Sequence, residues 1–309
     1  MSVRGAQGFV EDPRNEQLLV YVDGHLVPRA EARVSVFDSG FVLGDGVWEA
    51  FRLVNGTLLF VAEHLQRLFE GARAIDLDIG LTDKELADAL YETVDANGMR
   101  TGVHVRLMVT RGVRQTPNED PRYAVGTPTI VIVAEHKEPN PEIRTSGLHL
   151  FTSTMRTSPP DMSDLRLNSH SRLNLIQALM QAIQAGAHEA LMLDPLGFVA
   201  SCNSTNFFIV RRGEAWTSTG RFSFKGITRR QVIELCERHG IPVRPTDFTL
   251  AECYAADEAF VTGTFGGITP VSRIDGRSIG RMVPGPLTSR IAGHYAELVA
   301  QAAAGGRSL

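Results

Sequence analysis

The side chains with chemistry to offer gather in two short stretches. Asn168, Ser169, His170 and Ser171 precede a helical pattern, and Ser201, Cys202, Asn203, Ser204 and Thr205 follow a short strand. A Cys–His or Ser–His pair drawn from them has the makings of a nucleophile and its base, provided the groups come within hydrogen-bond reach. The bland alternatives are His170 bracing the helix that follows it and Cys202 as a small buried hydrophobe. Strand alternation adds a constraint: if Ser201 faces a cleft, Cys202 points away from it. Arg111 and Arg114, in a long polar loop, are either solvated charges or a bidentate receptor for a substrate carboxylate. Of 31 basic residues only Lys84, Lys137 and Lys225 are lysines, so imine chemistry has three candidate amines. No H-E-x-x-H, C-x-x-C or G-x-S-x-G pattern occurs, which argues against a metal site and against a nucleophile elbow.

The elements that must position these groups follow from pattern. The first fifteen residues read as loose. Leu18 to Val27 alternates about Asp23-Gly24, a hairpin, and Asn55-Gly56 is a second hairpin turn. Val34–Phe37 and Val47–Leu53 read as strands, as do Val103–Thr110 and Thr129–Ala134. Helical spacing runs over Ala62–Ile75. Thr82 with Glu85 forms a capping box for a helix ending near Gly98. Pro-rich 136–147 predicts a linker between an N-terminal domain, 1–135, and a C-terminal domain, 148–309. In the second half, Leu173, Ile176, Met180 and Ile183 repeat at threes and fours in a helix over 169–185 closed by Gly186. Strands follow at 190–193, 198–200, 206–210 and 259–262, and helices at 228–239 and 284–303. The economical class is α+β with two domains.

The totals set outer limits. A chain of 309 residues, 43% hydrophobic and 21% charged, is that of a globular protein. A net charge of −4 gives no basic patch for nucleic acid or an anionic membrane. No run approaches the ~20 apolar residues of a membrane span, and the first residues lack a signal-peptide core. Three unpaired-looking cysteines, Cys202, Cys236 and Cys253, point to a reduced, cytoplasmic setting.

Six segments taken together resemble the class IV, pyridoxal-phosphate-dependent aminotransferases, the family of branched-chain and D-amino-acid aminotransferases. They are FDSGFVLGDGVWEAFR (37–52), EHLQRL (63–68), SRLN (171–174), EALMLDPLGFVASCNSTNFF (189–208), GITRRQV (226–232) and DEAFVTGTFGGITPV (257–271), in the family's order over nearly the whole chain. The resemblance implies a two-domain fold, with a small N-terminal α/β domain and a larger C-terminal mixed domain. It also implies a site between the domains, completed by the second subunit of a homodimer. By the same resemblance, Arg67, Ile227, Thr228, Gly263 and Thr264 form a cup for the cofactor phosphate. A guanidinium and clustered amides at a helix start suit that group. Trp48 becomes a pocket wall, and Phe265 crowds the substrate side next to Gly266-Gly267.

Two positions depart from the family. Its reactive lysine falls at Asn168. A gap would bring Arg166 there instead, but a guanidinium stays protonated and cannot form the imine. The glutamate that keeps the ring nitrogen protonated falls at Ser201, which can only hydrogen-bond it. Lys225, beside the cup, has a counterpart in relatives that keep the usual lysine, so it reads as a charge near phosphate or solvent. Three readings stay open: a protein that binds pyridoxal phosphate without a covalent bond and works in an altered way, a cofactor-independent hydrolase or lyase on the same scaffold, and a non-catalytic binding protein for a small molecule. Ordinary transamination is not expected.

Overall fold

A computed structural model describes residues 5–307 of the chain. Backbone contacts divide it into two compact units. The N-terminal unit consists of Glu11–Glu138, Leu167–Arg172 and Ala300–Leu309, and the C-terminal unit of Met1–Val10, Pro139–Arg166 and Leu173–Val299.

The N-terminal unit is built on six strands: β1 (Leu19–Val22), β2 (His25–Pro28), β3 (Gly46–Val54), β4 (Thr57–Leu58), β5 (Val103–Thr110) and β6 (Thr129–His136). They pair antiparallel throughout, in the order β2-β1-β6-β5-β3-β4. Helix α1 (Ser39–Leu43) precedes β3, and α2 (Val61–Ala74) and α3 (Asp83–Ala96) follow β4. Alternate residues of the strands, among them Val47, Phe51, Leu53, Val105, Leu107 and Ile132, are buried in one core with Leu65 and Leu68 of α2 and Leu86 and Leu90 of α3. The capping box of Thr82 and Glu85 is present as expected. Val34–Phe37 is not a strand: the segment finds no ladder partner, and Val34, Val36 and Phe37 stay exposed.

The C-terminal unit begins with the described residues before Val10. Those residues are anchored rather than loose. The buried Glu189 carboxylate accepts hydrogen bonds from the Ala6 N–H at 2.7 Å and the Thr205 hydroxyl at 2.8 Å. Within the expected linker, α4 (Glu142–Ser146) buries Ile143. Next come β7 (Leu148–Thr152), α5 (Pro160–Ser163), α6 (Leu173–Gln184), β8 (Glu189–Leu193), β9 (Val199–Cys202), β10 (Asn206–Arg211) and β11 (Glu214–Thr217). After them run α7 (Ile227–Arg238), β12 (Val243–Pro245), α8 (Leu250–Tyr254), β13 (Glu258–Gly263), β14 (Gly267–Ile274), β15 (Arg277–Ser278) and α9 (Pro286–Ala304). The nine strands form one mixed sheet, β12-β11-β10-β13-β14-β7-β8-β9, with β15 on β14. Crossovers make the β11/β12, β14/β7 and β7/β8 pairs parallel.

Helix α6 departs from expectation twice. It starts at Leu173, not 169, because the backbone of 168–170 is spent on the edge of β3: the Trp48 N–H donates to the Asn168 carbonyl and the His170 N–H to the Gly46 carbonyl. Its apolar repeat also lies outward. Leu173, Ile176, Met180 and Ile183 are 67, 53, 53 and 61% exposed, while Ala178 and Ala182 pack on Ala190 and Met192 of the sheet. Among the described residues no helix is long and apolar enough to cross a membrane.

Candidate active site

In the N-terminal unit the polar centre starts from β3. Alternation turns Glu49 toward α2, where its carboxylate is fully buried. Arg67 grips it with two hydrogen bonds of 2.7 Å, and His64 Nδ1 lies 2.6 Å away. Burial by itself would raise the Glu49 carboxyl, but charge and hydrogen bonding from His64 and Arg67 outweigh it and hold the group down to about 2. Arg67, expected at the cofactor phosphate, is thus set in place by Glu49.

Residue 48 faces the other way, and the segment 168–172 is organised around it. The Asn168 amide donates to the Trp48 carbonyl at 2.6 Å and accepts from the Arg172 guanidinium. Trp48 Nε1 donates to the Ser169 carbonyl at 3.0 Å, and Arg172 Nε donates to the same carbonyl at 2.9 Å. The Asn168 side chain is therefore tied at both ends. Arg106 on β5, which sequence pattern did not single out, stacks over the Trp48 ring at 3.9 Å. Its signal would have been an arginine among the apolar residues of β5, but only strand pairing reveals its neighbour, since Arg106 sits opposite Ala50 and Trp48 opposite Met108. Burial, then repulsion from Arg106 and Arg67, pulls Arg172 down to about 10 against a smaller pull from Glu49. His170 is half-buried, and burial and the nearby Arg106 hold it below its ordinary range. Its Nε2 is buried without a hydrogen-bond partner among the described residues.

The loop arginines are neither solvated nor open. Arg111 clasps Asp45 at 2.7 and 3.1 Å and donates to the carbonyls of Ile75 and Asp76. Arg114 is fully buried and donates to Ser39 Oγ and the Asp120 carbonyl. Both brace the base of their loop.

In the C-terminal unit, Ser201 and Cys202 sit on β9 with side chains on opposite faces. Cys202 packs in the core with Leu191 and Phe207, and burial, then the neighbouring Glu189, pushes its thiol far up. That is the setting of an inert thiol, not of a nucleophile. Ser201 is buried opposite Met192.

The start of α7 has the features of an anion site. Gly226 caps the helix without a side-chain hydrogen bond, so the first-turn amides at Ile227 and Thr228 have no intrahelical acceptor. Asn206 on β10 holds the approach to the helix by donating to the Phe224 carbonyl at 2.7 Å. A Cβ at Gly226 would collide with the Asn206 side-chain oxygen, so only glycine fits. Asn206 was not singled out by sequence pattern, although it stands inside the S-T-N-F-F stretch. Its strand partner is Thr262 on β13, whose hydroxyl is buried without a hydrogen-bond partner among the described residues. Gly263 ends β13 and Thr264 enters the turn, both half-buried. Phe265 is 2% exposed and belongs to the interior.

These residues fit a phosphate at α7. The Asn168 side chain is an amide already hydrogen-bonded to Trp48 and Arg172. Of the lysines, Lys84 pairs with Asp88 at 2.6 Å on the surface. Lys225 is exposed. Lys137 is half-buried and pushed down by burial.

Comparison with known proteins agrees with this architecture. A sequence model of the family Amino-transferase class IV matches residues 46–274. The chain is 36% identical over 286 residues to branched-chain-amino-acid aminotransferase-like protein 2 of Arabidopsis thaliana, covering 93% of this chain and 51% of that protein. It thus spans about half the length of this plant relative. It is 34% identical over 286 residues to the D-alanine aminotransferase of Listeria monocytogenes, covering 92% of this chain and 96% of the relative. The crystal structure of the branched-chain aminotransferase of Thermoproteus uzoniensis with norvaline superposes with a TM-score of 0.83 at 33% identity, covering 93% of this chain and 96% of the other. With the family's pattern running through both units, the chain belongs to the class IV aminotransferase family.

Proposed function

We propose that this protein binds pyridoxal phosphate without a covalent bond, and acts on a small amino or oxo acid by a route other than ordinary transamination. The observation that carries the reading is Asn168. At the position the family resemblance gives to the reactive lysine, its amide is fixed between the Trp48 carbonyl and Arg172. An amide neither forms an imine nor takes a proton at neutral pH. When bound, the cofactor would supply an electron sink for charge developing at the substrate α-carbon. The residues of the C-terminal unit that would hold its phosphate are Ile227 and Thr228 through their amides, with Gly263 and Thr264. Ser201 would offer the ring nitrogen a hydrogen bond rather than a counter-charge.

The hydrolase alternative is weakened by Cys202, whose thiol is buried in the core. A homodimer is proposed with support from α6, whose exposed stripe of Leu173, Ile176, Met180 and Ile183 lies on a helix without a single charged residue. The three free, buried cysteines suit a reducing, cytoplasmic compartment.

The test is a titration with pyridoxal phosphate followed by visible absorbance, then borohydride reduction and intact-mass measurement. The expected result is a saturable, dialysable spectral change and no adduct. A single phosphopyridoxyl lysine, on Lys225 or Lys137, would refute the non-covalent reading, and no spectral change would refute binding.

A further inference from the structure

Glu189 opens β8 in the C-terminal unit, where its carboxylate is buried and pairs with no lysine, arginine or histidine among the described residues. A carboxylate taken out of water is costly unless its oxygens are hydrogen-bonded, so its two donors are fixed by it as firmly as it is by them. Oε1 takes the Ala6 N–H at 2.7 Å and Oε2 the Thr205 hydroxyl at 2.8 Å. One oxygen thus grips the segment before Val10, and the other grips the turn between β9 and β10. Both grips lead to the turn between β13 and β14. The Thr205 methyl lies 3.4 Å from where a Cβ on Gly263 would stand, and the Ala6 carbonyl 3.3 Å from where one on Gly266 would stand. Residues 5–8 are shaped for so close an approach. Gly5 has φ +36°, and a Cβ there would come within 2.8 Å of the His188 carbonyl. The Gly8 N–H closes back on the Gly5 carbonyl at 3.0 Å, and the Gly8 carbonyl accepts from the Asn140 N–H at 3.2 Å. The segment is therefore tied at both ends.

We propose that residues 5–8 are a strap that holds the β13–β14 turn in the shape that receives the ligand's phosphate, and that Glu189 is the positioning residue that clamps the strap to the β9–β10 turn. This rests on the reading above that puts Gly263 and Thr264 at the phosphate. The strap meets the turn at Gly266, so it acts on the ligand only through the turn's backbone. Strap order and ligand binding are then linked. Whatever affinity the ordered strap adds, the bound ligand returns as added order in the strap.

Amide hydrogen exchange of the full chain, read by mass spectrometry with and without pyridoxal phosphate, tests the strap. Ala6→Pro removes the N–H that Glu189 accepts. Glu189→Gln leaves the backbone alone but sets an amide donor against one of the two donors. Without cofactor, both variants should exchange faster across 263–267, while residues 207–209 in the core of β10 keep the wild-type rate. With saturating cofactor, the wild type should exchange more slowly across 5–8, and Ala6→Pro should bind the cofactor about fivefold or more weakly. A merely structural anchor would not respond to ligand at 5–8. Unchanged exchange across 263–267 in both variants overturns the proposal. So does cofactor binding that neither slows exchange at 5–8 nor weakens in Ala6→Pro. If the wild type binds no pyridoxal phosphate, the cofactor reading fails by itself, and exchange in the unliganded variants still decides the strap.

Discussion

Replacing Glu49 by Gln tests the electrostatic design of the N-terminal unit. The carboxylate makes two 2.7 Å hydrogen bonds to Arg67 and one 2.6 Å contact with His64, with none of its side chain exposed. Glutamine keeps the shape but removes the charge. Breaking one partner of a buried pair costs about 3–5 kcal/mol. Arg67 is 15% exposed and can recover some hydration, which favours the lower end. The linkage argument agrees: a carboxyl held at about 2 against an ordinary 4.5 contributes about 3 kcal/mol at neutral pH. Because the folded-state value is depressed, this contribution is complete above pH 4.5 and is lost as pH falls from 4.5 toward 2. Urea unfolding of wild type and Glu49→Gln, followed by circular dichroism between pH 7 and pH 3, should show an offset of about 3 kcal/mol at neutrality that shrinks to less than half at the acid end. An offset below about 1 kcal/mol, or one that does not change with pH, would refute the assignment of a depressed, paired carboxylate.

Three further outcomes follow from local geometry. His104 is held down to about 3, by burial first and then by Lys137, Arg106, Arg52 and His64. Wild type should therefore lose stability as pH falls from 6.5 toward 3, and His104→Gln should flatten that slope in urea titrations. Gly226→Ala drives a Cβ into the Asn206 side-chain oxygen and should cost about 1–3 kcal/mol by thermal unfolding, with weaker phosphate binding. Met180→Glu places a charge in the exposed stripe of α6, so sedimentation velocity should show a shift to monomer while circular dichroism is unchanged.

Local signals made much of the fold legible. The Thr82 capping box and the turns at Asp23-Gly24 and Asn55-Gly56 depend on neighbours in sequence, and all lie where pattern puts them. Elements decided by distant partners were not legible. Val34–Phe37 has strand composition but no partner, and residues 169–172 trade a helical turn for the edge of β3. Periodicity identified α6 as a helix, but it cannot say that alanines Ala178 and Ala182 form the packed face while the larger residues point outward. At the site, the hydrogen bonds that hold Asn168 to Trp48 and Arg172 could not be read from residue type. Arg106 was not legible either, because its meaning depends on Trp48, brought near by the β3/β5 ladder. Asn206 was missed for a similar reason: its amide serves Phe224, on the approach to a helix.

The path of the chain through the N-terminal unit has a consequence for how the protein is made. Residues 167–172 and the last ten belong to that unit, where Thr57 Oγ1 donates to the Ala303 carbonyl and Arg307 pairs with Asp95. During synthesis, the unit that holds Glu11–Glu138 cannot be completed until residues 167–172 and those after Val299 have also emerged. Until residues 168–170 emerge, the Trp48 N–H, normally bonded to Asn168, lies on an open strand edge, a template for association with other chains. An excised 11–138 fragment would carry the same open edge permanently and should aggregate at concentrations where the full chain does not.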